Sequence, residues 1–299
     1  GMPEVRESLK ALYPYTGKAY VIGITGAPGV GKSTLVDQMV AHLRKRDKTV
    51  GVLAVDPTSP FSGGAILGDR VRMQRHSMDP GVFIRSLATR GQFGGLTQST
   101  RSAIDILDAM GKDVILVETV VVGQDEVDVV RSAHTTVIVV IPGMGDDIQA
   151  IKAGILEVGD IFLINKSDRE GTDKTQNELR LMIEMDQRKH DEGMWKPPVI
   201  KVEAVYDKGV DDFLEAVDQH AEHLEKTAGG LKSRRSPDRV RQEMVEMIKA
   251  RLFEEVLDKL TESGAFDNTV DAIVNGELDP YSACENLVFP ALGELPAEK

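Results

Sequence analysis

Eight consecutive residues, Gly26-Ala27-Pro28-Gly29-Val30-Gly31-Lys32-Ser33, fit the pattern GxxxxGK[ST] in full. The pattern constrains the fold because its chemistry demands a particular backbone. Glycines let the chain curl so that successive amides point inward at an anion, and a helix that starts at the lysine turns its positive end to the same place. Such a loop belongs between a strand and a helix. Both are legible here, since the apolar run Tyr20–Thr25 precedes it and a helix-compatible run follows Thr34. A chance match in a glycine-rich turn would lack that context. The spacing makes Gly26, Ala27, Pro28, Gly29, Val30, Gly31, Lys32, Ser33 and Thr34 candidate phosphate contacts. Lys32 is expected to reach the β- and γ-phosphates of a nucleotide, and the Ser33 hydroxyl to ligate Mg2+.

About 130 positions later stands Asn165-Lys166-Ser167-Asp168, behind its own apolar run. This has the form of a guanine-reading NKxD element. A carboxylate at Asp168 can accept from both the N1–H and the exocyclic amine of guanine, a pair of donors that adenine does not offer, and sites built on such pairs discriminate strongly. Asn, Lys, Ser and Asp are also common turn residues, so the tetrapeptide alone is compatible with a solvated turn. Beside the phosphate loop, the nucleotide reading is favoured. Val205 and Asp207-Lys208-Gly209 follow the last apolar run and are expected to form the loop that closes over the base. Three acids between the two motifs are candidate metal ligands: Asp56 and Glu118, each at the end of a strand-like run, and Asp69 in Leu67-Gly68-Asp69-Arg70. A carboxylate at such a strand end beside a phosphate loop is where Mg2+ is held, directly or through water; each could instead simply be solvated.

The formal net charge of −12 disfavours non-specific binding to nucleic acid or to anionic membrane. An acidic chain that binds a triphosphate must solve the charge problem locally, with amides, Lys32 and a cation. One cysteine, Cys284, excludes a disulfide framework and a cysteine-rich metal site, which suits a reducing cytoplasm. No stretch approaches 18 uninterrupted apolar residues and no signal core opens the chain, so neither a membrane span nor export is expected.

Short apolar runs alternate with longer amphipathic ones, the pattern of a mostly parallel sheet flanked by helices. The expected strands are Tyr20–Thr25, Thr49–Val55, Val82–Leu87, Val114–Thr119, Thr136–Ile141, Ile161–Asn165 and Val199–Val202. Helices are expected after Lys32 and over Thr97–Met110, Ile148–Leu156, Lys174–His190 and Val210–Lys226. This gives an N-terminal helical extension over 1–18, an α/β nucleotide-binding domain over 19–228, and a linker with a helical C-terminal arm over 229–299. The linker reading rests on Gly229-Gly230-Leu231-Lys232-Ser233-Arg234-Arg235-Ser236-Pro237. The helix expected at Arg239–Leu260 is too apolar to stand alone, so it either packs on its own core or forms a dimerisation arm. His220 and His223, three apart on one helix, could share a metal; lacking a third ligand nearby, an exposed helix face is favoured.

Several runs together resemble one family. Besides the two motifs, Val55-Asp56-Pro57-Thr58-Ser59-Pro60-Phe61, Gly63–Met73, Val117-Glu118-Thr119, Val122-Gly123-Gln124, Pro142-Gly143-Met144-Gly145-Asp146-Asp147 and Asp279-Pro280-Tyr281 are similar to those of the MeaB/ArgK P-loop GTPases. The resemblance spans nearly the whole chain. It implies a GTPase chaperone for adenosylcobalamin-dependent acyl-CoA mutases, chiefly methylmalonyl-CoA mutase, that couples GTP binding and hydrolysis to gated cofactor loading and protection of the mutase. It carries Lys32, Ser33, Asp56 and Glu118 over as the phosphate and Mg2+ set, with Asp69 in a nearby switch. It further implies switch roles for 118–126 and 142–149, and homodimerisation through the C-terminal arm. Gln124 could orient the attacking water, as glutamines do in other GTPases, or could be a polar residue of the switch surface. An older family label is a lysine/arginine/ornithine transport ATPase or kinase. That reading, and a nickel-insertion GTPase with its Cys/His clusters, are the alternatives; Asp168 argues against ATP, and the single cysteine against metal insertion.

One departure stands out. The family reads Glu-Thr-Val-Gly-Val-Gly-Gln where this chain has Glu118-Thr119-Val120-Val121-Val122-Gly123-Gln124. Valine keeps the amide that meets the γ-phosphate, but its branched side chain disfavours positive φ and stiffens the loop. A Val121→Gly variant is therefore expected to hydrolyse GTP faster than the parent chain in single-turnover assays. An equal or lower rate, with and without a mutase, would count against this.

Overall fold

The computed structural model describes residues 3–56, 73–88, 95–119, 133–143, 158–185, 194–227 and 237–292. Two expectations on residues 57–72 and 120–132, the roles of Asp69 and Gln124, lie outside them, as does the helix expected at 148–156. The chain divides into two units, residues 1–236 and 237–299.

The first unit is built on seven strands: β1 (Tyr20–Thr25), β2 (Val50–Asp56), β3 (Val82–Ala88), β4 (Val114–Thr119), β5 (Thr135–Val140), β6 (Ile161–Ile164) and β7 (Val199–Lys201). They lie in the order β3-β2-β4-β1-β5-β6-β7, and every pairing is parallel. Strands buried on both faces read as continuous Val/Ile/Leu runs. In β4 and β5 all six residues are buried. Among the described residues five helices accompany the strands: α1 (Pro3–Leu12), α2 (Lys32–Lys45), α3 (Gly95–Ala109), α4 (Thr172–Met185) and α5 (Val210–Thr227).

Side chains alternate between the two faces of a strand, and this divides the core. Ile22 and Ile24 of β1, with Leu116 and Val139, pack against Leu35, Val36 and Met39 of α2 and Phe213 and Leu214 of α5. Val21 of β1, with Leu53, Ile115 and Val117, points the other way onto Ile104 and Leu107 of α3. The fit there is close: a Cβ on Gly51 would stand 2.8 Å from the Leu107 side chain. Burying one such side chain stabilises by about 1.5–3 kcal/mol, so the two layers fix β1, and with it the loop that leaves its end. Ahead of β1, the Asp108 carboxylate of α3 accepts from the amides of Gly17, Lys18 and Ala19 at 2.7, 3.1 and 3.0 Å, which ties the N-terminal segment to the sheet.

At the N-terminal end of β5, the other end of the strands from the glycine-rich loop, His220 departs from the exposed position expected for it. It is buried, its Nδ1 lies 2.8 Å from Thr135 Oγ1, and its Nε2 is 3.6 Å from Asp160. The Trp195 ring leans on both His220 and His223, with centroids 4.8 and 5.5 Å away. Among the described residues no group of three His, Cys, Asp or Glu is placed to hold a metal. Burial, with the nearby His223 adding to it, pushes His220 down to about 4 from its ordinary 6.5. Between those values the unfolded chain binds a proton that the folded chain refuses. The stabilisation from neutral His220 is thus complete above 6.5 and is lost as the pH falls towards 4. Converted at 1.36 kcal/mol per unit, it is on the order of 3 kcal/mol. Unfolding midpoints taken from pH 7.5 to 4.5 should fall accordingly, and a His220→Asn variant should flatten that fall. An unchanged slope in the variant would refute the assignment.

The second unit consists of α6 (Pro237–Glu262), α7 (Ala265–Val274) and α8 (Pro280–Leu292). The start of α8 is well specified: Pro280 takes the first helical position and Asp279 Oδ1 accepts from the amides of Tyr281 and Ser282, each at 3.0 Å. Met244, Met247, Ile248 and Phe253 of α6 are all more than half exposed. Among the described residues of this unit only Ala283 is buried. No helix among the described residues is long and apolar enough to cross a membrane.

Candidate functional site

The C-terminal ends of β1, β2, β4 and β6 converge on one edge of the sheet, where ligands of open α/β folds bind. β1 stops at Thr25, residues 26–31 form the glycine-rich loop, and α2 begins at Lys32. Gly31, the residue just ahead of that helix, has φ +95° and supplies no side-chain cap. The first turn of α2 contains no acidic residue either. A helix start with no side-chain cap and no acidic residue in its own first turn is arranged for an anion.

Gly31 is also where the two sequence motifs meet. A Cβ built on it would fall 2.4 Å from Asn165 Nδ2. Asn165 is buried at the end of β6, and Nδ2 donates to the Val30 carbonyl at 2.8 Å. Its Oδ1 accepts from the amides of Lys166 at 2.8 Å and Ala204 at 3.1 Å. Lys166 stands at φ +55°, a left-handed conformation uncommon for lysine, and its Nζ donates to the Gly29 carbonyl at 2.8 Å. Such a backbone is retained where surrounding contacts fix it. Asn165 and Lys166 therefore clamp the glycine-rich loop from 135 and 137 residues away, and Asp168, two residues on, is exposed beside them.

Lys32 is buried, and its ammonium donates to the carbonyls of Gly26 at 2.8 Å and Ala27 at 3.0 Å. These contacts hold the charge over the loop. The Ser33 hydroxyl donates to Glu118 Oε1 at 2.8 Å, and both residues are buried. Glu118 sits in β4 opposite Ala54 of β2, so Asp56 closes the neighbouring strand on the same edge. Next to it, Thr119 Oγ1 donates to Thr25 Oγ1 at 3.0 Å, fastening the ends of β4 and β1. A hydroxyl and a carboxylate sharing one buried spot are the hard oxygen donors that suit Mg2+; the site residues present fit that ion.

The loop after β7 lies against Asn165 through Ala204. Val205 forms its tip and is largely exposed. Glu203 and Lys208 pair across its base, with Glu203 N donating to Lys208 O at 3.0 Å. The loop is further held by Gln38 and His42 of α2, neither of which the sequence reading singled out. Gln38 Nε2 donates to the Ala204 carbonyl at 3.1 Å. His42 contacts Asp207 and Asp211 at 2.7 and 2.8 Å. A buried histidine between Met39 and Leu43 on the core-facing stripe of a helix is the signal that could have found it.

Comparison with known proteins gives one consistent answer. The family described as methylmalonyl Co-A mutase-associated GTPase MeaB matches residues 2–261. A GTPase-family protein of Pyrococcus abyssi is 48% identical over 290 residues, covering 97% of this chain and 89% of that protein. The GTPase ArgK of Escherichia coli is 35% identical over 286 residues, covering 93% and 84%. Among solved structures, that of an LAO/AO transport system kinase superposes with a TM-score of 0.66 at 29% identity, over 94% of this chain and 84% of that one.

Proposed function

This chain belongs to the family of methylmalonyl-CoA mutase-associated GTPases, and from that membership we propose that it is a nucleotide-gated chaperone for an adenosylcobalamin-dependent acyl-CoA mutase, methylmalonyl-CoA mutase or a relative. As a GTPase it binds guanine nucleotide and converts GTP to GDP and phosphate. The observation that best supports a guanine site at this edge is the clamp of Asn165 and Lys166 on the carbonyls of Val30 and Gly29. It joins the phosphate cradle to the base-reading segment as one rigid unit, with Asp168 exposed next to it.

In this reading the amides of 26–33 and the start of α2 hold the phosphates. The Lys32 ammonium, now resting on the Gly26 and Ala27 carbonyls, turns to the β- and γ-phosphate oxygens. Asp168 accepts from guanine, and Val205 lies at the tip of the loop that closes over the base. Ser33 and Glu118 would hold Mg2+, with Asp56 on the adjacent strand end; the ion supplies positive charge to the phosphate oxygens. Since Glu118 accepts from the Ser33 hydroxyl, it also orients that oxygen towards the site. Asp69 is assigned to a nearby switch by family resemblance, and Gln124 would orient the attacking water as glutamines do in other GTPases. The apolar surfaces of α6, α7 and α8 suit a homodimer formed through the C-terminal helices. A small-molecule kinase reading, suggested by the name of the LAO/AO relative, is disfavoured by a base pocket built on Asp168.

The partner is tested by capture from native lysate with the tagged full chain, loaded with GDP or with a non-hydrolysable GTP analogue. Recovery of an acyl-CoA mutase in one nucleotide state and not the other is the expected result. Equal recovery in both states, or none in either, would contradict the gated-chaperone assignment.

A further inference from the structure

The structure shows the loop after β7 gripped at three points by groups that lie far from it in sequence. The Ala204 peptide is bracketed: its N–H goes to Asn165 Oδ1 at 3.1 Å and its carbonyl to Gln38 Nε2 at 3.1 Å. Further along, Asp207 stands at φ +55° and meets His42 Nε2 at 2.7 Å. His42 Nδ1 meets Asp211, in the first turn of α5, at 2.8 Å. His42 itself is buried. Resting on the guanine-site reading above, we propose that His42, with Gln38 one turn before it, is a positioning residue for base recognition: it fixes the height of the 203–209 loop over the base through Asp207 and Asp211.

Position argues that the effect runs through the loop. Ten residues separate Lys32 from His42, roughly 15 Å along a helix that rises 1.5 Å per residue, so His42 does not touch the phosphate end. Chemistry argues that the contact is stiff. Carboxylates only accept, so the ring is the donor, and hydrogen bonds with a charged partner are the stronger kind. The loop needs such an anchor. Val205 and Tyr206 are both about two-thirds exposed and bury little surface of their own. Asp207, in a left-handed conformation, costs energy that its contacts must offset. Without His42 both carboxylates lose the one ring that links them. The same helix starts at the phosphate loop, so one rigid element sets both the phosphate cradle and the base-closing loop.

The test is calorimetric titration of the full chain with GDP and with ADP, for the parent protein and for His42→Ala. The expected result is a roughly tenfold weaker GDP affinity with ADP affinity changed less than twofold, so that the guanine preference narrows about tenfold. Should His42→Ala fail to fold, Asp207→Asn carries the test. Asparagine tolerates the left-handed backbone but gives up the charged partner, and the preference should narrow about threefold. A preference for GDP that survives in the folded variant, or equal losses for GDP and ADP, would overturn the inference while leaving the guanine site standing. A parent chain that shows no preference for GDP would overturn the guanine-site reading, and this inference with it.

Discussion

Gly31→Ala is expected to cost the chain two to three orders of magnitude in GDP affinity while leaving the sheet folded. Two effects add. Alanine at φ +95° is strained by about 1–3 kcal/mol. Its methyl would also stand 2.4 Å from Nδ2 of Asn165, a buried side chain hydrogen-bonded at both its nitrogen and its oxygen. Displacing that side chain breaks its bonds to Val30 O, Lys166 N and Ala204 N, each worth roughly 1 kcal/mol net. The damage therefore spreads from the phosphate cradle to the base segment. Gly29→Ala provides the contrast. Gly29 also has positive φ, at +79°, but a Cβ there meets nothing within 4 Å, so only the backbone strain applies and the loss should be about tenfold. Titration calorimetry with circular dichroism on the same samples checks both. Equal losses at the two glycines would mean that the clamp between the motifs is not what matters.

Asp168→Asn is expected to exchange the base preference. The carboxylate is proposed to accept two hydrogen bonds from guanine, and bonds to a charged group are worth about 1.5–3 kcal/mol each. An amide in its place presents a donor to the exocyclic amine and loses the charge, so GDP affinity should fall by about 10²-fold or more. Xanthosine diphosphate carries a carbonyl where guanine has the amine, and it should bind the variant better than it binds the parent chain. Asp168 is exposed and is three residues past the buried Asn165, so the unfolding midpoint should stay within a degree or two. An Asn variant that binds GDP as tightly as the parent would remove Asp168 from the base site.

Much of this architecture could be read from the chain because parallel strands covered on both faces carry a strong local signal. β1 and β4 fall where their apolar runs begin and end, at Tyr20–Thr25 and Val114–Thr119. Boundaries slipped where the run gives no edge: β2 starts at Val50 and ends at Asp56, against an expected Thr49–Val55, because Asp56 still pairs with Ala88 of the neighbouring strand. The sheet, expected as mostly parallel, is parallel in all its pairings. The candidate site was legible as two motifs and not as one object. Asn165 reads as a base-side residue, whereas its side chain is committed to Val30, Lys166 and Ala204. No local pattern announces a bond that spans 135 positions. His220 shows the same limit. Helical spacing places it beside His223, but only the packing of Trp195 and Thr135 decides that this stripe is buried.

The central claim is that one cradle of amides and one carboxylate, held together through Asn165, select a guanine nucleotide. Displacement of a fluorescent GDP from the parent chain by unlabelled GDP and by ADP, with Mg2+ present, measures this directly. The account predicts that GDP displaces the probe at concentrations at least about 100-fold lower than ADP. Displacement by both at the same concentration, or failure of the probe to bind at all, would contradict it.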